Sequence, residues 1–250
     1  MSSFFLLVSL ICALNLVCPS SSYPHPLIGD YPSAFVRFRS LYETLSMYLK
    51  KPTDVVFILD SSKTNMNNYK TSLKFIELNS LLLQRLNANV RIALLTVGSA
   101  VKVQFNFQNS YKSITDIFTK VEYKFEYDPD IYEAFLEAYR ILKLDQKNGE
   151  SNRIIFLVSA RIDDYRYNIV ELVDIFISEK IKFFYLSIGV PKKWNILHFS
   201  SGYNYTLHLS SFDVLKEINY ILGDTVLKKW DCDFPMFNFH DHENGIYDCK

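Results

Sequence analysis

The chain has 250 residues, 49% of them hydrophobic and 16% aromatic, and its 27 Lys and Arg balance 27 Asp and Glu. A chain of this length buries roughly 70–75% of its unfolded surface, and the composition excludes collagen-like, disordered and cysteine-dense chains. Zero net charge argues against a general nucleic-acid or polyanion partner, and 7 Gly leave little material for a phosphate-cradling loop.

The first 22 residues carry no charged side chain. Phe4 to Val17 is a mostly apolar run, short for a bilayer span, and small residues Ser20 to Ser22 follow it. This order reads as a secretory signal peptide over 1–22, with a retained N-terminal anchor as the alternative. No other stretch approaches spanning length, so no membrane span is expected in the mature chain. Residues 23–53 read as an N-terminal extension: three prolines (Pro24, Pro26, Pro32), then a helix over Ser33 to Lys50. In that helix Phe35, Phe38, Leu41, Leu45, Tyr48 and Leu49 recur at steps of three and four.

From Asp54 strands and helices alternate. Asp54 to Asp60 is a continuous apolar run of the kind buried on both faces of a sheet. An amphipathic helix is expected over Lys63 to Leu86, then a buried strand over Val90 to Val97. Val101, Val103, Phe105 and Phe107 alternate with Lys102, Gln104 and Asn106, which predicts an antiparallel edge strand after a tight Gly98-Ser99-Ala100 turn. Helices follow over Ser110 to Val121 and Asp130 to Leu144. A buried strand (Arg153 to Ala160), a helix (Asn168 to Lys180) and a strand (Ile181 to Gly189) come next. A short helix within Pro191 to Ser201, a short strand (Tyr205 to Leu209) and a helix (Ser211 to Trp230) complete the series. Strands separated by helices of this length imply crossover units, and right-handed crossovers place helices on both faces. The expected fold is therefore α/β: a doubly wound, mainly parallel six-stranded sheet with one antiparallel edge strand.

Ligands of such sheets bind outside the carboxyl ends of the strands, where the strand order reverses. The loop after the first strand reads Asp60-Ser61-Ser62-Lys63-Thr64. It holds no glycine, which excludes a dinucleotide or Walker-type cradle. A carboxylate alternating with hydroxyls suits a hard divalent cation such as Mg²⁺. The same residues also suit helix capping, with Asp60 and Ser62 accepting from the free N–H groups of the helix that follows.

Here the chain resembles the von Willebrand factor A domain family. The resemblance runs from Asp54 to Leu227 and rests on the strand Asp54–Asp60, the D-x-S-x-T loop, the hairpin Val90–Phe107, the strand Ile154–Ser159 and the element order. It implies a doubly wound domain over 54–230 and a metal-ion-dependent adhesion site (MIDAS), in which a cation meets an acidic residue of a protein partner. Asp60, Ser62 and Thr64 match the first MIDAS loop. The family's loop Thr falls near Pro129, and no Ser or Thr occurs between Lys120 and Glu150. Ser159 stands where the family has an Asp. Asp128 or Asp130 is the candidate replacement ligand.

Residues 231–250 form a tail. Cys232 and Cys249 are the cysteines that remain once the leader is removed. They suggest one bridge closing a C-terminal loop, worth about 3 kcal/mol, or else two thiols free for other partners. With Asp231, Asp233, Asp241, Glu243 and Asp248 against Lys250, the tail carries −4 and the rest of the chain +4. His240 and His242 flank Asp241 there, and a solvated acidic segment is the simpler account of them. Asn204-Tyr205-Thr206 is a glycosylation sequon. No nucleophile elbow, zinc-protease helix or catalytic cysteine pattern occurs, so the chain reads as a non-enzyme. The expectation is a secreted module that binds an extracellular protein or matrix ligand, with or without a cation. A small hydrolytic enzyme on the same sheet is the alternative, and it would require a histidine near Asp60.

Overall fold

The computed structural model describes residues 31–121, 129–144, 151–160, 166–189, 201 and 205–227. Helix α1 (Tyr31–Tyr48) leads into strand β1 (Thr53–Asp60), a 3-10 turn (Lys63–Asn68) and helix α2 (Tyr69–Leu86). Strands β2 (Val90–Val97) and β3 (Val101–Gln108) form the hairpin. Helices α3 (Tyr111–Phe118) and α4 (Ile131–Leu144) precede β4 (Asn152–Ser159). Helix α5 (Arg166–Ser178), β5 (Ile181–Ile188), β6 (Thr206–Leu209) and α6 (Phe212–Leu227) end the series. The helix expected within Pro191 to Ser201 falls almost wholly outside the described residues.

The six strands lie in the order β3-β2-β1-β4-β5-β6. β2 and β3 pair antiparallel, and all the other pairs are parallel. The order reverses between β1 and β4, because the chain leaves β1 toward β2 and later returns to the other side of β1. Every residue of β1 is buried, as the unbroken apolar run requires of a central strand.

Alternate residues feed two cores. Val55, Phe57, Leu59, Ile154, Phe156 and Val158 face one side, together with α1, α2, α3 and α6. Val56, Ile58, Ile155, Leu157, Phe183 and Tyr185 face the other, with α4 and α5. Both faces are aromatic. Phe156 stacks on Phe184 at 5.9 Å, and Phe135 meets Phe183 edge-on at 4.9 Å.

Two local features differ from the sequence reading, and a third adds to it. The helix expected from Lys63 begins as a 3-10 turn and becomes α-helical only at Tyr69. Four of the six residues in that turn are Thr64, Asn65, Asn67 and Asn68, all weak helix formers whose side chains compete for backbone groups. Second, the alternation in β3 breaks. Register shifts between Ile92 and Leu95 carry Phe105 to the α2 and α3 side, while Val101, Val103 and Phe107 stay on the α4 side. Phe105 then packs edge-on against Phe118 at 5.5 Å. Such bulges are characteristic of edge strands. Third, α1 is part of the core. Ala34, Leu41, Leu45 and Leu49 are buried with the sheet residues. The Tyr48 carbonyl accepts from Thr53 Oγ1 at 2.9 Å and from Asn152 Nδ2 at 2.7 Å, and the Tyr48 and Tyr205 hydroxyls lie 2.6 Å apart. Burial, followed by the bond to Tyr205, pushes the Tyr48 hydroxyl far above its ordinary pKa.

The amino end of the sheet is fastened by ion pairs. Arg91 bonds both carboxylate oxygens of Asp54, at 2.7 and 2.9 Å, and lies over the Phe107 ring at 4.7 Å. Glu179 accepts from Tyr139 at 2.6 Å and pairs with Lys143 at 2.5 Å. The Lys143 ammonium, then the Tyr139 hydroxyl, hold its carboxyl below the usual carboxylate range.

Candidate functional site

The carboxyl ends of β1 and β4 meet at the point where the strand order reverses, and Asp60 ends β1 there. It is fully buried, and both of its carboxylate oxygens are engaged. Oδ1 accepts from the Ser62 backbone N–H at 2.9 Å, and Oδ2 accepts from the Ser159 hydroxyl at 3.0 Å. Parallel pairing brings the last residues of β1 and β4 side by side. With an acid in place of Ser159, the buried carboxylates would repel. The serine instead donates directly to its neighbour.

The loop is fixed from below as well. The Ser61 N–H donates to Val97 O at 2.8 Å, and the Asn65 N–H donates to Ser62 O at 2.9 Å. Asn65 Nδ2 donates to the Asp60 carbonyl at 2.8 Å. Ser61, Ser62 and Asn65 are all buried. The Asn65 Oδ1 has no hydrogen-bond partner, a state that ordinarily costs about 1–3 kcal/mol for a buried polar atom. Ser62 precedes the 3-10 turn without making a side-chain cap bond, so the capping role expected of it is not performed. Asp60 is spent on the loop's own N–H and on β4.

Of the other residues singled out in the sequence, Thr64 lies in the 3-10 turn, and its side chain is outside the described positions. Asp130 caps α4: its Oδ1 accepts from the Glu133 N–H at 3.0 Å. Its own N–H donates to Gly98 O at 3.1 Å, which brings it to the end of β2, the strand next to β1. Asp128, Asn204, Cys232 and Cys249 lie outside the described residues.

The sheet adds two polar residues that local sequence patterns do not reveal. Ser159 registers with Ser187, and Ser187 with His208. Asp60, Ser159, Ser187 and His208 thus form one row across four adjacent strands, and Ser187 Oγ lies 2.9 Å from His208 Nδ1. A histidine therefore shares the row with Asp60, but β4 and β5 stand between them. Ser187 is fully buried, so the Ser187–His208 pair offers no accessible nucleophile.

A family model for the von Willebrand factor type A domain matches residues 54–220. The chain belongs to this family. Its VWA fold recurs in solved structures. Proximal thread matrix protein 1 from the mussel byssus gives a TM-score of 0.57 at 17% identity, over 70% of this chain and 46% of that one. The same protein was solved with a zinc-occupied MIDAS motif, at the same TM-score of 0.57. The SpRpn10 VWA domain gives 0.54 at 15% identity, over 66% of this chain and 93% of that domain. The pilus adhesin SpaC from Lactobacillus rhamnosus GG gives 0.54 at 11% identity, over 71% and 31%. The chain spans about half the length of the thread protein, and at these identities the likeness is one of fold. Among curated proteins none matches the sequence significantly.

A VWA domain implies a divalent cation at the first loop, and the residues present fit one in kind. Asp60, Ser62 and Ser159 offer oxygen donors alone, as hard cations require. They fit it less well in charge. Among the described residues, no group of three or more His, Cys, Asp or Glu side chains is placed to hold a metal.

Proposed function

We propose that this VWA domain is a protein-recognition module, that its binding face is the carboxyl rim of the sheet, and that a divalent cation, Mg²⁺ foremost, assists it there. The observation that carries this reading is the position of Asp60: a buried carboxylate at the strand-order reversal, fixed through both oxygens. Asp60, Ser62 and Thr64 would hold the cation, with Asp128 or Asp130 from the neighbouring loop adding charge. A cation bound there supplies an electrophilic site for an acidic side chain of a partner. The chain's own part is to keep Asp60 oriented, through the Ser62 N–H and the Ser159 hydroxyl. With Ser159 in place of an acid, affinity for the cation is lower than a two-carboxylate site gives.

The rest of the reading concerns where the chain works. A leader over 1–22, a Cys232–Cys249 bridge and a glycan on Asn204 all belong to a secreted, extracellular protein whose partner is another extracellular protein or a matrix component. No described helix is long and apolar enough to cross a membrane. The fold itself, shared with a byssal matrix protein and a pilus adhesin, supports recognition over catalysis.

Capture of partners from extracellular extract on the immobilised full chain, in Mg²⁺ and in EDTA, tests the proposal. Capture in Mg²⁺ that EDTA abolishes is expected. Equal capture in both would remove the cation and leave a metal-independent rim, and capture unaffected by substitutions at Lys63 and Met66, both exposed on the 3-10 turn after β1, would remove the rim as well.

A further inference from the structure

Asn65 stands one residue beyond the first MIDAS loop motif, at a position to which the family pattern assigns no ligand. The structure uses one end of its side chain. Nδ2 donates to the Asp60 carbonyl at 2.8 Å, and the residue's own N–H donates to Ser62 O at 2.9 Å. The residue is therefore tied to Asp60 through its side-chain amide and to Ser62 through its backbone. Its other end, Oδ1, is buried and accepts nothing, although Asn65 as a whole is 1% exposed. Rotating the amide by half a turn does not relieve this. Oδ1 would then face the Asp60 carbonyl oxygen, and a buried NH₂ would be the group left over. Buried polar atoms are almost always satisfied by protein, water or an ion. Asn79 and Asn219 also keep an amide oxygen unpartnered while their Nδ2 donates to a backbone carbonyl, and Asn65 differs from them in lying at the Asp60 loop.

We infer that Asn65 Oδ1 is a ligand of the divalent cation at this loop, directly or through one ordered water. The inference rests on the cation reading above and deepens it. An amide carbonyl is a hard, neutral oxygen donor of the kind that Mg²⁺ and Ca²⁺ accept beside carboxylates. This chain lacks the family's loop threonine, whose place falls near Pro129, and so lacks one neutral oxygen donor. Asn65 supplies one from the loop that already holds Asp60 and Ser62. The bond from Nδ2 to the Asp60 carbonyl holds the amide in a single orientation, so its oxygen is fixed in place before any cation arrives.

The test is Mn²⁺ binding to the full chain, followed by the paramagnetic signal of the free ion and, separately, by thermal unfolding. Asn65→Ala is expected to weaken Mn²⁺ binding by about tenfold or more, the scale on which metal-site partners act. Asn65→Asp keeps the oxygen and adds a charge. It is expected to bind Mn²⁺ at least about tenfold tighter than the wild type, from a metal-free state that melts lower. If Asn65→Ala does not fold, Asn65→Asp alone decides. Wild-type affinity in both variants overturns the inference while leaving the cation at Asp60, and Asn65 then holds an ordered water. A wild-type chain that binds no Mn²⁺ overturns both the inference and the cation, and leaves the rim as a metal-independent surface.

Discussion

Asp60 and Ser159 lie far apart in sequence and are hydrogen-bonded in the structure. Two acids on neighbouring parallel strands need a cation or a proton between them. An acid and a hydroxyl do not, so the Asp60–Ser159 pair is satisfied without metal. Ser159→Asp reverses the balance. Unit charges about 4 Å apart interact by roughly 4 kcal/mol at an effective dielectric near 20. The variant should therefore melt below the wild type in EDTA and gain more from added Mn²⁺, with binding at least about tenfold tighter. Thermal unfolding across a Mn²⁺ titration measures both effects. Equal metal-induced shifts in the two proteins would show that no cation is bound through this pair. The sequence made Asp60, Ser62 and Thr64 legible because a five-residue motif is local. The Asp60–Ser159 bond depends on strand register, and the partnerless Asn65 oxygen depends on what surrounds it. Neither leaves a mark in spacing, although an asparagine directly after the motif was there to be questioned.

Helix α1 lies before the span that the family model matches, yet it behaves as an internal element. Leu41 and Leu45 are 1% exposed, and Phe38 contacts Phe75 of α2 at 6.4 Å between ring centroids. Tyr48 joins the helix to β1, β4 and Tyr205 through the bonds already described. Leu45→Ala leaves a cavity against the sheet and should cost about 2–5 kcal/mol, read from the urea midpoint at an unchanged slope. A cost under about 1 kcal/mol would mark α1 as an appendage. The helix itself was readable from its three- and four-residue spacing. Its place in the core was not, because periodicity shows that a helix has an apolar face and not which element covers it. Edge strand β3 shows the opposite failure. Its alternation predicted one buried face for Val101, Val103, Phe105 and Phe107. The bulge turned Phe105 away from the others, because an edge strand has one neighbour to enforce its register.

At the scale of the whole molecule the sequence constrains the fold most tightly. Apolar runs long enough for strands, separated by helices and bounded by polar loops, allow few packings once crossovers must be right-handed. The observed order β3-β2-β1-β4-β5-β6 is one of them. The same order ranks the strands by protection. β1 is bonded on both sides and buried along its whole length, and β4 and β5 are each bonded on both sides. β3 has a single partner strand and an interrupted ladder, and β6 is a four-residue strand. Amides deep in a doubly covered sheet exchange only when the whole domain opens, whereas edge amides exchange through local fraying. Native-state hydrogen exchange should therefore find the free energy of global unfolding in β1 and β4, and smaller values in β3 and β6. Helix α1 separates two accounts of the domain. If its buried leucines make it part of the cooperative unit, the amides of its last two turns, from Leu41 to Tyr48, exchange at the global free energy together with β1. If they exchange well below that value, the helix opens alone and the span matched by the family model is the cooperative unit by itself.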